Sequence, residues 1–218
     1  MVAMPADPKS RTTVLQIDGL CLDLSQRELF ADFSTSIPTG VTSVQGGEGS
    51  GKSTLLRLMA GEMAAKSGRF QINGATLADQ PQAYRDQVFW VDPRSNAFDA
   101  ITPVTYWAAV QKRYPAFDSE LLTDLVDGLS LVPHQDKTLY MLSTGSKRKV
   151  WLAAAFASGA VVTLLDEPFA ALDKTSINLV LELLKEAAVH TTRAWVVADY
   201  TAPASVPLAA SIFLGFQG

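Results

Sequence analysis

A chain of 218 residues with 22 acidic and 18 basic side chains has a net charge of −4 and no block of like charge, so no nucleic-acid partner is indicated. A hydrophobic share of 48% against 18% charged residues suits one sizeable domain with a full core and a surface meant to be covered. The lone cysteine, Cys21, excludes a disulfide framework and a cysteine-rich metal site, and reads as a small core residue in a reducing compartment.

Met1 to Thr13 is polar, carries Pro5 and Pro8, and lacks the apolar segment of a secretory signal; residues 1–13 are expected to be loosely ordered. Val14 to Leu24 and Leu29 to Ile37 read as strands, and Pro38-Thr-Gly40 turns the chain into a third, Val41 to Gln45. Leu55 to Ala60 has helix formers and a Gly61 stop. Ser67-Gly68 and Asn73-Gly74 bracket a short strand, Arg69 to Ile72, and Gln87 to Val91 is another candidate.

From Arg94 to Met141 no strand pattern occurs. Thr105 to Arg113 and Asp118 to Leu129 read as helices, the second capped by Asp118, so residues 94–141 are read as a helical insertion. Ser143 to Ala157 reads as a helix and Ala160 to Leu165 as a buried strand. The apolar tract Val150 to Leu165 is broken by Ser158-Gly159 and is shorter than the ~20 residues of a membrane span. Thr175 to Val189 is an amphipathic helix, followed by late strands at Ala194 to Ala198 and Ser211 to Leu214. Helices alternating with buried strands predict an α/β fold with a mainly parallel core sheet covered on both faces. The tryptophans 90, 107, 151 and 195 read as core, Trp107 having the option of facing a partner. His134 reads as a solvated loop residue and His190 as a helix-end cation.

The chemistry concentrates first at Gly46-Gly47-Glu48-Gly49-Ser50-Gly51-Lys52-Ser53-Thr54, which fits the phosphate-loop pattern G-x-x-x-x-G-K-[ST] between a strand and a helix. The glycines let the backbone take positive φ and turn successive N–H groups into one concavity, where the helix start adds its positive end. Lys52 would reach the β- and γ-phosphates of a nucleotide, and the Ser53 hydroxyl would ligand Mg²⁺. The plainer alternative, an ordinary glycine-rich turn, does not explain lysine and hydroxyl in that order.

A second element follows at Val161 to Leu165, a hydrophobic strand ending in Asp166-Glu167. At the C-terminal edge of a parallel strand both acids can face the ligand crevice. Asp166 would hold Mg²⁺ through its water, and Glu167 would act as general base on the attacking water. Ser143 and Gly145, in Leu142-Ser-Thr-Gly-Ser146, offer a hydroxyl and a bare backbone at a helix N-terminus. That suits an anion but also describes a simple Ser-capped helix.

In order and spacing these motifs resemble the nucleotide-binding subunits of ATP-binding cassette (ABC) transporters from Val14 onward. Leu142 to Ser146 resembles their Leu-Ser-Gly-Gly-Gln signature, with Thr144 and Ser146 as departures, and Ala171-Leu172-Asp173 resembles their D-loop. Within the family the chain looks most like bacterial export-type subunits, including the haem-exporter kind. The resemblance implies an ABC-type phosphate-loop fold over residues 14–218, with antiparallel strands near the N-terminus and the helical insertion as a subdomain. It implies ATP and Mg²⁺ as ligands, pairing with a second nucleotide-binding domain, and a separate membrane permease as partner. The place would be peripheral, at the cytoplasmic face of the inner membrane. Ser143 and Gly145 would then touch the γ-phosphate held by the partner domain's lysine, with the D-loop Asp173 beside the shared site.

Two family positions are missing. Where a glutamine contacts Mg²⁺ and water, the chain reads Phe89-Trp-Val-Asp-Pro93, with Asp92 as best match and candidate metal contact. Where a histidine contacts the γ-phosphate, it reads Trp195-Val-Val-Ala-Asp-Tyr200, with Asp199 at or near that position. An aspartate there would repel the γ-phosphate unless metal-bound or protonated. ATP binding with impaired hydrolysis is therefore expected, one lost polar contact costing on the order of a hundredfold. Phe30 is a remote candidate for stacking on adenine. The competing reading is an ATP-dependent dimerising switch or adaptor with little turnover, supported by Asp92 and Asp199. A phosphate-loop kinase would leave the signature and D-loop stretches unexplained.

Overall fold

A computed structural model describes residues 11–24 and 27–215. The expectation of looseness for residues 1–10 lies outside them. Arg11 itself is tied down, its Nη1 donating to the carbonyls of Thr39 and Ala188, both at 2.9 Å.

Two sheets form the frame. The first is antiparallel, in the order β2 (Arg27–Pro38), β1 (Thr13–Leu24), β4 (Ser67–Ile72), β5 (Ala75–Thr76). The second is parallel throughout, in the order β6 (Val88–Phe89), β7 (Val162–Asp166), β8 (Ala194–Asp199), β3 (Gly40–Gln45), β9 (Ala210–Phe213).

The parallel strands read as continuous apolar runs because both faces are covered. Side-chain alternation then assigns neighbours to opposite cores. Val44, Leu164, Val196 and Ala198 pack with α1 (Lys52–Met59) and the inward residues of the first sheet, such as Leu15 and Ile17. Val41, Leu165, Trp195 and Val197 pack on the other side, with α5 (Thr144–Ala157) and α6 (Lys174–Ala188).

Helices α3 (Pro103–Arg113) and α4 (Ser119–Gly128) join that second core through α5. Thr102 and Asp118 cap them, accepting from the N–H of Thr105 and Leu121. Tyr106 and Phe98 pack against Trp151, and the Trp107 Nε1–H donates to the Val150 carbonyl at 3.1 Å. Trp107 is thus anchored inward. All four tryptophans are buried, as expected from the sequence. Gly159 is required between α5 and β7: its φ is +69°, and a Cβ there would sit 2.2 Å from the Ala116 carbonyl oxygen.

Some expectations need correction. The candidate strand Gln87 to Val91 pairs only at Val88–Phe89, where it meets β7. The short α2 (Pro81–Arg85) and the two-residue β5 escaped the sequence reading, since each is too brief to show a period. Cys21 is half-buried on β1, with its Sγ accepting the Asp32 N–H at 3.3 Å, and is not a core residue. His190 lies past the end of α6, where burial and then the Arg193 charge push its pKa down, so the cationic form is disfavoured.

Candidate functional site

Strand β8 lies between β3 and β7, so the chain ends leaving these three strands open onto one crevice. From β3 comes the phosphate loop. Gly49 and Gly51 have φ of 69° and 97°, the left-handed region that only glycine enters cheaply. A Cβ on Gly46 would lie 2.4 Å from the Ser50 Oγ and 2.5 Å from the Leu214 carbonyl oxygen, so the loop also closes tightly on itself. Lys52 begins α1 and is 6% exposed. Its Nζ donates to the carbonyls of Gly46 at 2.8 Å and Gly47 at 2.9 Å, and lies 4.5 Å from the centroid of the Tyr200 ring.

An open cleft of about 540 Å³ lies over this loop. Glu48, Gly49, Ser50, Gly51, Lys52, Ser53 and Thr54 line it, together with Glu167, Arg94 and Tyr200. Leu24, Arg27 and Leu29 also line it, Leu29 lying close against Gly51. Phe30 is excluded as a stacking residue for this cleft: it is 4% exposed and turned into the core against Phe33.

Asp166 ends β7, buried, and its Oδ1 has no hydrogen-bond partner among the described residues. Burial pushes its carboxyl above the usual range, the Ser53 hydroxyl pulls it back in part, and the Glu167 charge adds to the rise. Asp92 and Arg94 also act on it. Ser53 and Asp166 are thus hydrogen-bonded neighbours, and Asp92 acts on Asp166 through its charge alone. Asp92, however, is engaged by Arg94: its Oδ1 accepts the Arg94 N–H at 2.9 Å and sits 3.6 Å from the Arg94 Nε.

Glu167 takes the left-handed conformation, φ 45°, with its N–H donating to the Ala198 carbonyl at 2.8 Å. Asp199 ends β8. Burial raises its pKa, its bond from the Tyr200 N–H at 2.7 Å opposes that, Glu167 raises it further, and Lys52 and Arg148 lower it. Asp199 is thus within electrostatic range of Lys52 and Glu167, but Tyr200, the residue just after β8, is the one that lines the cleft.

A separate constellation surrounds the start of α5. The Ser143 Oγ caps the helix, accepting the Ser146 N–H at 3.1 Å and donating to the Ser146 Oγ at 3.0 Å. A Cβ on Gly145 would fall 2.3 Å from the Ala171 carbonyl oxygen, so glycine lets the loop after β7 pass against the helix. Asp173 caps α6 through the Ser176 N–H at 2.9 Å and pairs with Lys149 at 2.6 Å; the Lys149 and Ser176 bonds hold its carboxyl far below the usual range. Ser143, Gly145 and Asp173 do not line the phosphate-loop cleft of their own chain.

The model of the family described as ABC transporter matches residues 30–170. The chain belongs to the ABC transporter ATP-binding family. It is 33% identical over 175 residues to the cytochrome c biogenesis ATP-binding export protein CcmA of Pseudomonas savastanoi pv. phaseolicola, covering 80% of each chain. It is 32% identical over 184 residues to the manganese transport system ATP-binding protein MntB of Listeria monocytogenes, covering 79% of this chain and 74% of that one. Among solved structures, an ATP-binding subunit of an ABC transporter superposes with a TM-score of 0.76 at 24% identity, over 85% of this chain and 79% of that one. An ABC transporter ATP-binding protein from Pyrococcus furiosus gives 0.73 at 21% identity, over 92% and 96%.

This ABC chain is thus an ATP-binding subunit of a transporter, of a family whose domains are generally ATPases working with permeases. Among the described residues no helix is long and apolar enough to cross a membrane. Sequence reasoning missed Tyr200, Arg94, Arg148, Leu24, Arg27 and Leu29. Only Tyr200 left a signal, being next to Asp199 at the C-terminal edge of a buried strand.

Proposed function

We propose that this subunit binds Mg-ATP in the cleft over Lys52 and hydrolyses it slowly, in a dimer seated on a separate membrane permease, to drive export. The observation that supports it is the convergence at one cleft of the phosphate loop after β3, Glu167 after β7 and Tyr200 after β8, with Asp166 bonded to Ser53 beside it. Lys52 swings from the Gly46 and Gly47 carbonyls to the β- and γ-phosphates, exchanging neutral acceptors for charged ones. Leu24 and Leu29 give the base an apolar wall in place of an aromatic ring.

The acidic corner fits Mg²⁺. An unpartnered buried carboxylate oxygen on Asp166, the Ser53 hydroxyl and the Asp92 carboxylate are all hard oxygen donors. When bound, the ion neutralises charge on the phosphates. Glu167 takes a proton from the attacking water as the bond between the γ-phosphorus and the bridging oxygen breaks. The Asp199 charge beside Lys52 and Glu167 slows this step. Ser143, Gly145 and Asp173, which do not line their own chain's cleft, serve the nucleotide of the partner subunit. Export, rather than uptake, rests on the CcmA relatives. The position is peripheral, on the cytoplasmic side of the inner membrane.

Calorimetry with Mg-ATP and steady-state hydrolysis by the wild type and Glu167→Gln test this. Association at micromolar to millimolar concentration and a large loss of turnover in the variant are expected. No heat of association by a folded sample overturns the whole reading. Turnover equal in wild type and variant favours the dimerising switch, the reading that Asp199 beside the site also supports.

A further inference from the structure

The loop after β7 reaches the crevice in a conformation that needs support. Glu167 and Ala171 both have positive φ, 45° and 60°, where side chains with a Cβ are disfavoured by about 1–2 kcal/mol. Between them runs a turn, Glu167-Pro168-Phe169-Ala170, closed by the Ala170 N–H donating to the Glu167 carbonyl at 3.1 Å, with proline at its second position. One side chain grips both ends of this turn. The Arg148 Nη1 donates to the Glu167 carbonyl at 2.9 Å and to the Ala170 carbonyl at 2.8 Å.

Arg148 lies on α5, the helix that Ser143 caps and Gly145 opens. It is half-buried, its Nε has no partner among the described residues, and its charge is within range of Glu167, Asp166 and Asp199. Burial is the main influence on its pKa and pushes it down; the three carboxylates push it back up. Glu167 is therefore held from two directions, its N–H by the Ala198 carbonyl of β8 and its carbonyl by Arg148 of α5.

We propose that Arg148 is the positioning residue that fixes Glu167 in its left-handed working conformation and makes the signature end of α5 and the catalytic loop move as one body. Two further contacts run along the same seam: Gly145 against the Ala171 carbonyl, and Lys149 paired with Asp173. A shift of α5 as Ser143 and Gly145 meet a partner's nucleotide is then passed to Glu167 through the guanidinium, without a contact between the two sites. This rests on the reading of Glu167 as the general base.

Arg148→Ala and Arg148→Lys in the full chain test it by two readouts. The first is amide hydrogen exchange. The Arg148→Ala substitution should speed exchange of residues 167–173 about tenfold or more while β8 keeps its protection, and Arg148→Lys, which keeps a charged donor, should restore part of it. The second is hydrolysis, where a misplaced base costs ~10- to 100-fold in kcat with KM for ATP nearly unchanged. In the Glu167→Gln background the Arg148→Ala substitution should cause no further loss, because the residue acts through Glu167.

Unchanged exchange at 167–173 overturns the proposal, and so does an Arg148→Ala loss that is as large without Glu167 as with it. An equal rise in exchange across the whole chain marks a merely structural arginine and also overturns it. A wild type that does not hydrolyse ATP removes the ATPase reading instead, and the exchange arm then decides the positioning claim alone.

Discussion

Gly145→Ala is a perturbation whose cost can be worked from the structure. The added Cβ would sit 2.3 Å from the Ala171 carbonyl oxygen, about 1 Å inside ordinary contact. The obstacle is main chain, not the end of a flexible side chain, and Ala171 already holds φ at 60°. Forcing an extra carbon into a packed seam costs about 1–3 kcal/mol. Alanine returns at most ~1 kcal/mol of helix propensity. Because the obstacle is main chain the upper part of that range, about 2–3 kcal/mol, applies, so the net loss is about 1–2 kcal/mol, which for a chain of this size lowers Tm by about 2–8 °C. Gly49→Ala is the matched control: nothing lies within 4 Å of its Cβ, but its φ is +69°, so its cost of about 1–2 kcal/mol comes from the backbone alone. Thermal denaturation of both, with Mg-ATP calorimetry, separates the two effects. Gly145→Ala should lose stability and keep nucleotide affinity, because its cleft is not its own chain's; Gly49→Ala should lose affinity as well. A Tm for Gly145→Ala equal to or above wild type refutes the claim that glycine is there to admit the D-loop backbone.

The remaining predictions concern the carboxylates. Asp166 has a folded pKa raised above its unfolded value, so its contribution to stability is present in acid and lost as pH rises through the folded pKa. Asp166→Asn should therefore raise stability at pH 7–8, the gap closing as pH falls, while Mg²⁺ dependence of ATP binding is lost; a lower Tm at pH 8 contradicts this. Asp199 is raised likewise, and on the proposed reading its charged form opposes the γ-phosphate. Asp199→Asn should tighten Mg-ATP by roughly three- to tenfold at pH 8, about 1 kcal/mol of like-charge repulsion, with less effect in mild acid; calorimetry showing equal affinities at pH 8 sinks it. Glu167→Gln should cut turnover at least ~100-fold and leave Mg-ATP affinity within a few-fold, measured by phosphate release and calorimetry.

What was legible in the sequence was local. Gly46 to Thr54 declares itself because an anion cradle needs glycines, lysine and hydroxyl at fixed spacing along one strand-loop-helix. Asp166-Glu167 follows because an apolar parallel strand ends at the ligand edge. The parallel sheet itself was visible in the continuous apolar runs of β7 and β8, whose alternate side chains enter different cores. What stayed hidden depends on strand order. That β8 falls between β3 and β7 brings Tyr200 onto Lys52, and no spacing in the chain encodes that. Gly145 was legible as a bare backbone but not as the gap through which Ala171 passes, and Arg148 looked like one basic residue among three.

The charge pattern around the crevice gives these hidden residues a common logic. Asp92, Asp166, Glu167 and Asp199 converge there, and an incoming triphosphate adds further negative charge. Arg94 is paired with Asp92, Lys52 is held by loop carbonyls and the Tyr200 ring, and Arg148 sits beneath the remaining acids. Each of these three cations is thus placed against the backbone or side chains of an element at the site. On the proposed reading, carboxylates at positions 92 and 199 make nucleotide binding depend more steeply on Mg²⁺ than a neutral glutamine and a histidine would. Such a subunit, on the same proposed reading, binds ATP well only when the metal arrives with it, and its turnover follows how firmly α5 holds Glu167 against its charged neighbours.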